Sequence, residues 1–264
     1  MSEFVRSHRF LAAAVYVLMG AGLIWAAEVN NSTHIANAVA AEGRPENDLT
    51  RDATSKPAAV LEFFGLKSGD VVIDLFGGGG YYTELAARVV GEKGKVYFHN
   101  NKAYIPFVEE ELDVRFADHR LDDVVRMVSE ADDLGLPQEQ ADVVLMIMCY
   151  HDLYLVDTGW PEIDRELFWE QVYTALKPGG TLAVVDHVAE AGTGSSAVQS
   201  LHRIDKDYAK TDIESVGFVF EAESSALHNP DDDHTLLVFD PEIRRKTDRF
   251  VYKFTKPKTE KRKP

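Results

Sequence analysis

Short apolar runs alternate with stretches of helical periodicity along most of the chain, from about residue 55 to residue 256. The clearest run, residues 141–148, is almost continuous in apolar side chains, which is typical of a parallel strand buried on both faces. Strands are predicted at residues 71–75, 95–98, 114–117, 141–148 and 181–186, and helices at residues 58–64, 82–90, 105–111, 122–130 and 162–176.

The C-terminal part of the chain departs from this alternation. A helix is predicted at residues 197–216 and strands at 218–222 and 249–254, with no helix between the two strands. Such strands can pair antiparallel at the edge of a sheet. The complete pattern predicts an α/β fold, a doubly wound, Rossmann-like sheet of about seven strands, mostly parallel with an antiparallel last strand. We place this domain at residues 55–256.

The N-terminal segment, residues 1–40, has a different composition. Positively charged residues precede an unbroken apolar stretch at residues 10–27, and small residues follow at 36–40. This order is typical of a secretory signal peptide, but an apolar stretch of this length also spans a bilayer as an anchor. Either form predicts an exported protein, periplasmic or anchored to the inner membrane. Residues 41–54 are predicted to be a linker and residues 257–264 a basic tail.

Charge and cysteine content narrow the possible partners. The 264-residue chain has a net charge of −16, so its field repels nucleic acid and anionic membrane surfaces. The single cysteine, Cys149, excludes an internal disulfide and a cysteine-rich metal site. We therefore expect a small-molecule partner, no nucleic acid, and membrane contact only through the N-terminal segment. The oligomeric state stays open.

The turn after the first predicted strand is the most informative segment. Asp74 lies at the end of an apolar run, Phe76 follows, four glycines occupy residues 77–80, and a helical pattern starts at once. A strand, a glycine turn and a helix N-terminus bring the backbone close to a nucleotide-like ligand. Phe76 takes the position at which such a turn usually has its first glycine. No Gly-Lys-Ser/Thr follows, which excludes the phosphate loop of an ATPase.

Three segments resemble class I S-adenosylmethionine-dependent methyltransferases. They are Val72–Gly80, Ala141–Leu145 and Leu176–Leu182, the last containing the Lys-Pro-Gly-Gly turn before the fifth strand. The resemblance covers about residues 56–256 and implies S-adenosylmethionine as the cofactor. More narrowly, four short segments are similar to a group of predicted exported bacterial methyltransferases: Tyr150–Asp152, Val185–His187, Leu201–Asp205 and Asp231–Thr235.

The resemblance also implies which residues hold the cofactor. Two glycines of the turn would let the backbone approach its methionyl part. Asn100 occupies the position whose acidic residue holds the ribose in the family, and Asp118, after the predicted third strand, would contact the adenine amino group. Phe76 and Asn100 depart from the family pattern, and the bulk of Phe76 implies a different loop path. The implied cofactor-binding residues are Asp74, Phe76, Gly78, Gly80, Asn100 and Asp118.

Histidines and carboxylates follow the fourth and fifth predicted strands. His151 and Asp152 come after the fourth strand, and His187 lies at the end of the fifth. Ligands of a doubly wound sheet bind beyond these carboxyl ends. A histidine held by a carboxylate is a suitable general base at neutral pH. We therefore predict that His151, with Asp152, is catalytic, and that His187 is the second candidate base.

Further polar residues are predicted to line the substrate pocket on the same side of the sheet. Histidine and carboxylate side chains also suit divalent metals. No tight ligand spacing such as His-x-x-x-His occurs, however, so the sequence assigns no residue to a metal. The predicted pocket residues are Asp186, His202, Arg203 and His234.

The sequence thus predicts S-adenosylmethionine-dependent methyl transfer to a small-molecule acceptor, with a histidine as general base. Two alternatives stay open. Phe76, Asn100 and the export signal also fit a non-catalytic exported binding protein that retains the methyltransferase fold. The glycine turn taken alone permits a nicotinamide-dependent oxidoreductase. The turn at residues 177–180 and the missing acidic residue after the second strand argue against that alternative.

Overall fold

A computed structural model describes residues 31–258 of the chain. The strands are β1 Val71–Leu75, β2 Lys95–Asn100, β3 Val124–Val128, β4 Ala141–Ile147, β5 Leu176–His187, β6 Val219–Glu223 and β7 Arg249–Thr255. The α-helices are α1 (residues 31–39), α2 Glu46–Ser55, α3 Pro57–Phe64, α4 Tyr81–Val90, α5 Ile105–Phe116, α6 Arg165–Ala175, α7 Val198–Leu201 and α8 Lys206–Ser215.

The seven strands form one sheet in the order β3-β2-β1-β4-β5-β7-β6. Strands β1 to β5 pair parallel, whereas β7 pairs antiparallel with both β5 and β6. The predicted α/β, Rossmann-like sheet with an antiparallel last strand is therefore confirmed.

Helices cover both faces of the sheet. On one face, Phe168 of α6 and Ile213 of α8 are fully buried, and on the other face Leu61 of α3 and Leu85 of α4 are fully buried. The central strand β4 is covered on both sides, which explains its continuous apolar run. This packing leaves the carboxyl ends of the parallel strands along one edge of the sheet, where ligands of such folds bind.

The helix predicted at residues 105–111 is confirmed by α5, but the sequence prediction was wrong between residues 114 and 130. Residues 114–117 were predicted to be a strand, but α5 continues through Phe116, with Arg115 buried in ion pairs to Asp48 and Glu84. Residues 122–130 were predicted to be a helix but contain β3. That strand pairs only with β2, so its side chains alternate between buried and exposed and it lacks the continuous apolar run of a central strand.

The predicted helix at residues 197–216 is two helices, α7 and α8. The first ends at His202, which has a left-handed backbone with φ of 52°. Asp205 then caps α8, and its carboxylate accepts hydrogen bonds from the first backbone N–H groups of that helix. The break turns the chain back toward β5, so His202 lies beside the sheet edge instead of extending a helix.

Residues before α3 also pack on the domain. The predicted linker at residues 41–54 is helical from Glu46 onward, and Asp48 is buried in its ion pair with Arg115. Residues 36–40, predicted to belong to the leader, overlap α1, where Ile35 and Ala38 are buried. The apolar stretch at residues 10–27 lies outside the described residues. Within the part of the chain from 31 to 258, no helix is long and apolar enough to cross a membrane.

Candidate active site

The glycine turn follows β1 with three left-handed residues. Phe76, Gly78 and Gly80 have φ angles of 48°, 58° and 77°. This conformation costs a phenylalanine on the order of 1–2 kcal/mol, because its Cβ crowds the backbone. Phe76 therefore has a left-handed backbone, the conformation that glycine adopts most readily.

Packing of the Phe76 ring compensates for this strain. The ring is buried and stacks on Tyr104 and Phe168, with centroid distances of 5.8 and 6.0 Å. It also meets the edge of His99 at 5.0 Å and lies 6.4 Å from Trp160. Aromatic pairs at such distances contribute about 0.5–1.5 kcal/mol each beyond area burial. The side chain thus belongs to the core below the turn.

Two residues at the end of β2 hold the turn in place. Gly78 donates its N–H to Asn100 Oδ1 (3.0 Å), and Asn100 Nδ2 donates to the Gly78 carbonyl (2.9 Å). A carboxylate could accept the first bond but could not donate the second. His99 Nε2 lies 3.1 Å from the Ser129 carbonyl, and burial lowers the pKa of His99 to about 4. Asn100 therefore shapes the loop, a role the sequence did not predict.

Asp74 lies under the same turn and is fully enclosed. Thr83 Oγ1 donates a 2.6 Å hydrogen bond to Asp74 Oδ2. Burial raises the pKa of Asp74 to about 6, although the Thr83 hydrogen bond opposes the shift. The charged form of Asp74 therefore has an energetic cost.

The glycine turn is packed against the protein at some positions and open at another. A Cβ atom on Gly77 would approach Asp74 Oδ2 to 2.8 Å, and one on Gly79 would collide with the carboxylate of Glu111. A Cβ on Gly78 would meet nothing within 4 Å. The turn is therefore packed against the protein at Gly77 and Gly79, while its backbone is open at Gly78. Such an opening is what close approach of a cofactor to a glycine turn requires.

The prediction for Asp118 was wrong. Because β3 begins only at Val124, Asp118 precedes this strand instead of following it. Its assignment depended on a strand at residues 114–117, which is helical and then irregular. Ser129 and Glu130 follow the carboxyl end of β3 and lie on the side of the glycine turn, where Ser129 N–H donates to the Asn100 carbonyl at 3.2 Å.

His151 is at the centre of a second group of polar side chains, at the ends of β4 and β5. Its ring Nδ1 is 2.8 Å from Asp186 Oδ1, and its backbone N–H donates to Asp186 Oδ2 at 2.8 Å. Its Nε2 is 3.3 Å from Asp152 Oδ1 and 3.3 Å from His202 Nδ1. Tyr104 completes the group by donating its hydroxyl proton to Asp152 Oδ2. We call these five residues the His151 cluster.

The carboxylates determine the charge of this cluster. Burial alone lowers the pKa of His151, but Asp186 and Asp152 outweigh burial and raise the pKa to about 9. Burial raises the pKa of Asp152, whereas the His151 charge outweighs burial at Asp186 and lowers its pKa. Burial lowers the pKa of His202 to about 4. The stable form at neutral pH is therefore a protonated His151 that donates to Asp186, beside a neutral His202.

His187, the second predicted base, is close to the cluster but engaged elsewhere. Its ring lies 6.0 Å from that of His151, and its Nδ1 is 2.7 Å from Thr247 Oγ1. Burial lowers the pKa of His187 to about 3. A neutral, buried ring bound to a hydroxyl is a weaker candidate for a base than His151.

Two predicted pocket residues do not join the cluster. Arg203 is fully buried and forms a two-bond ion pair with Asp232, with N–O distances of 2.9 and 3.0 Å. His234 Nε2 lies 3.1 Å from Asp248 Oδ2. Arg203 thus anchors the loop after β6 through its ion pair with Asp232. The sequence could not distinguish this structural role from a position in the substrate pocket.

Sequence reasoning missed three residues of this site, Tyr104, Trp160 and His99. Tyr104 is 48 residues from Asp152 and carries no local motif. Trp160 Nε1 donates to the Asp152 carbonyl at 3.3 Å, and its ring lies 5.1 Å from that of Tyr104. The only sequence signal was an isolated tryptophan shortly after the His-Asp pair. Together these residues connect the aromatic core around Phe76 to the His151 cluster.

The sequence of this chain is similar to those of known methyltransferases. Residues 74–184 match the family model described as a methyltransferase domain. The chain is 24% identical over 207 residues to the ubiquinone/menaquinone biosynthesis C-methyltransferase UbiE of Escherichia coli strain K12, covering 76% of this chain and 77% of that protein.

Two solved structures share the fold. A S-adenosylmethionine-dependent methyltransferase from Aquifex aeolicus has a TM-score of 0.53 at 20% identity, covering 78% of this chain and 98% of the other. Phosphoethanolamine N-methyltransferase 2 from Haemonchus contortus, solved with S-adenosyl-L-methionine, has a TM-score of 0.52 at 17% identity, covering 77% and 53%. At these identities the likeness is one of fold.

The chain has the strand order and glycine turn of a class I methyltransferase fold, and residues 74–184 match the methyltransferase-domain family model. The chain is an S-adenosylmethionine-dependent methyltransferase, and S-adenosylmethionine is its cofactor. Neither the binding-protein nor the oxidoreductase alternative is favoured by these comparisons.

Proposed function

We propose that this enzyme methylates a small-molecule acceptor with an ionisable hydroxyl or amine, and that His151 removes the acceptor proton. The observation that carries the proposal is the buried pair of His151 Nδ1 and Asp186 Oδ1, 2.8 Å apart at the ends of β4 and β5. A carboxylate behind one ring nitrogen orients the ring and stabilises the charge that develops when the other nitrogen takes a proton.

Each member of the His151 cluster has a role in this proposal. Bound S-adenosylmethionine supplies an electrophilic methyl group on a sulfonium sulfur. Asp186 orients the His151 ring, whose Nε2 faces Asp152 and His202 and would take the proton of the acceptor. Tyr104 and Trp160 hold Asp152 from the other side. Alignment of the acceptor with the methyl group is the largest contribution expected of such a closed site.

The cofactor would lie along the glycine turn. The open backbone at Gly78 and the left-handed Gly80 would pass close to its methionyl part, and Asp74 supports the turn from below. Asn100 acts on the cofactor through the backbone of Gly78. For the adenine contact, we transfer the role predicted for Asp118 to the residues that follow β3, beginning at Ser129.

The proposal also includes export, because residues 10–27 have the composition of a leader or anchor. A small acceptor agrees with the net charge of −16, which disfavours association with nucleic acid. Cell fractionation with an antibody to the full-length protein tests export. Recovery in the cytoplasmic fraction alone would contradict this part of the proposal and leave the methyl transfer intact.

A two-stage experiment tests the function. Calorimetric titration first measures S-adenosylmethionine binding to the purified protein, and release of S-adenosylhomocysteine is then followed with small phenols, hydroxy acids and amines. His151→Gln is compared with His228→Gln, a matched control because His228 also pairs with a carboxylate, Asp248, but outside the cluster. Loss of turnover only in His151→Gln supports the proposal. A flat cofactor titration, or equal turnover in both variants, contradicts it.

A further inference from the structure

Three side chains with metal-ligating atoms meet in the structure although the sequence separates them. His151 Nε2, Asp152 Oδ1 and His202 Nδ1 all lie within 4.8 Å of one another. His202 is 51 residues from His151, which explains why no ligand motif is visible in the sequence. We propose that these three atoms bind one divalent transition-metal ion of the zinc class.

The distances agree with a tetrahedral ligand set. His151 Nε2 is 3.3 Å from Asp152 Oδ1 and 3.3 Å from His202 Nδ1. Metal–ligand bonds of about 2.0–2.1 Å at tetrahedral angles place neighbouring ligand atoms about 3.3–3.4 Å apart. Two edges of the required triangle are therefore already present, so an ion needs little rearrangement of the side chains.

Hydrogen bonds behind the ligands also agree with a metal site. When histidine binds a metal, its other ring nitrogen usually donates to a carboxylate or carbonyl that orients the ring. His151 has this arrangement, since its Nδ1 is 2.8 Å from Asp186 Oδ1. The second oxygen of Asp152 accepts a hydrogen bond from Tyr104, which leaves Oδ1 directed toward the histidines. Two of the three ligands are thus held from behind.

Charge provides an independent argument. Asp152 and Asp186 are both buried, and both pair with His151 and not with a lysine or arginine among residues 31–258, so an ion would take the place of the His151 proton. Two carboxylates and two neutral histidines would balance a doubly charged ion. Three protein ligands leave a fourth position open, as in catalytic and not structural zinc sites. His202 is only partly buried, so this position is on the accessible side.

Metal binding and proton acceptance exclude each other at His151 Nε2, because both use the same lone pair. In the metal-loaded protein, polarisation of an acceptor oxygen at the open position would replace proton removal by His151. The metal site therefore goes beyond the proposed function, and its existence does not depend on whether His151 is the base.

The test is a zinc titration of full-length protein treated with a chelator, without cofactor or acceptor. We expect one equivalent of Zn²⁺ with a Kd of about 1 μM or lower, and visible absorption of a tetrahedral site when Co²⁺ is used. His151→Ala, Asp152→Ala and His202→Ala should each weaken binding at least about 100-fold. Asp186→Asn keeps all three ligands and should weaken binding by about 10–100-fold.

His228→Ala is the matched control, because His228 is exposed and pairs with a carboxylate, Asp248, outside the His151 cluster. It should bind zinc as the wild type does, and thermal unfolding should show that every variant is folded. Absence of zinc binding to the wild type, or unchanged affinity in His202→Ala, would overturn the inference. Since the titration needs neither S-adenosylmethionine nor acceptor, its failure is distinguishable from a failure of methyl transfer.

Discussion

The two parts of the candidate site use polar side chains differently. At the ends of β1 and β2, Asp74 and Asn100 form hydrogen bonds to neighbouring protein groups and thereby shape the glycine turn. At the ends of β4 and β5, His151 and His202 place ring nitrogens 3.3 Å apart beside a carboxylate. We infer that the first region supports the fold and holds the cofactor, whereas the second carries out proton chemistry.

The largest expected effect is a loss of kcat without a loss of cofactor affinity. His151→Gln should lower kcat about 10²–10⁴-fold, because a positioned general base contributes that much. Cofactor affinity should change less than about threefold, since the glycine turn is not altered. Turnover and calorimetric titration measure the two quantities. A large loss of cofactor affinity with normal kcat would instead show that His151 acts in cofactor binding and not in proton transfer.

The pH profile gives the next largest effect. The pKa of His151 is raised to about 9, so the protonated form prevails at neutral pH and the basic form accumulates as the pH rises. In chelator-treated enzyme, kcat should therefore increase about tenfold per unit between pH 6 and 8 and level off near 9. His151→Gln should lose this rising limb. A flat wild-type profile over this range would contradict proton removal by His151.

Phe76→Ala tests whether packing of the Phe76 ring stabilises the glycine-turn region. Removing a buried aromatic ring costs about 3–5 kcal/mol, partly offset if the smaller residue relaxes the left-handed turn. We expect the free energy of unfolding to fall by about 3 kcal/mol in denaturant titrations. Phe107→Ala is the control, because this ring is 83% exposed and its removal should change stability little. Equal stability of both variants would show that the Phe76 ring and its aromatic neighbours do not support the turn.

Asp74 should couple stability to pH in the glycine-turn region. Its folded-state pKa of about 6 exceeds the ordinary value of 3.8, so its stabilising contribution is complete at low pH and is lost as the pH rises through 6. Relative to Asp74→Asn, the wild type should lose about 2–3 kcal/mol between pH 4 and 8. Unfolding curves at several pH values give the difference. If the free energy of unfolding changed with pH in the same way in both proteins, the buried charge of Asp74 would not have the predicted cost.

The smallest predicted effect concerns Asn100. Asn100→Asp keeps the acceptor for the Gly78 N–H but loses the donor to the Gly78 carbonyl. An unsatisfied buried group costs about 1–3 kcal/mol, so we expect a loss of about 1–2 kcal/mol in stability and about tenfold weaker cofactor binding. Asn101→Asp is a neighbouring control outside this pair of bonds. Tighter cofactor binding in Asn100→Asp would instead support a direct ribose contact.

Most of the fold could be predicted from local pattern. Central strands such as β4 have continuous apolar runs because both faces are covered, and the glycine turn has few alternative structures. The region from residue 114 to 130 could not be predicted, because Arg115 is buried by ion pairs to residues 31 and 67 positions away. In the same way, Arg203 is indistinguishable from a pocket residue until Asp232 is found against it.

The sequence by itself determined the α/β class, the cofactor turn and the positions of His151 and Asp186 at strand ends, because these follow from periodicity and residue order. Only the tertiary structure decided how the polar groups pair. Asn100 was assigned to the ribose and binds Gly78, and His202 was assigned to the pocket and lies 3.3 Å from His151. Hydrogen bonds and ligand sets depend on distances between strand ends, which the order of residues along the chain does not contain.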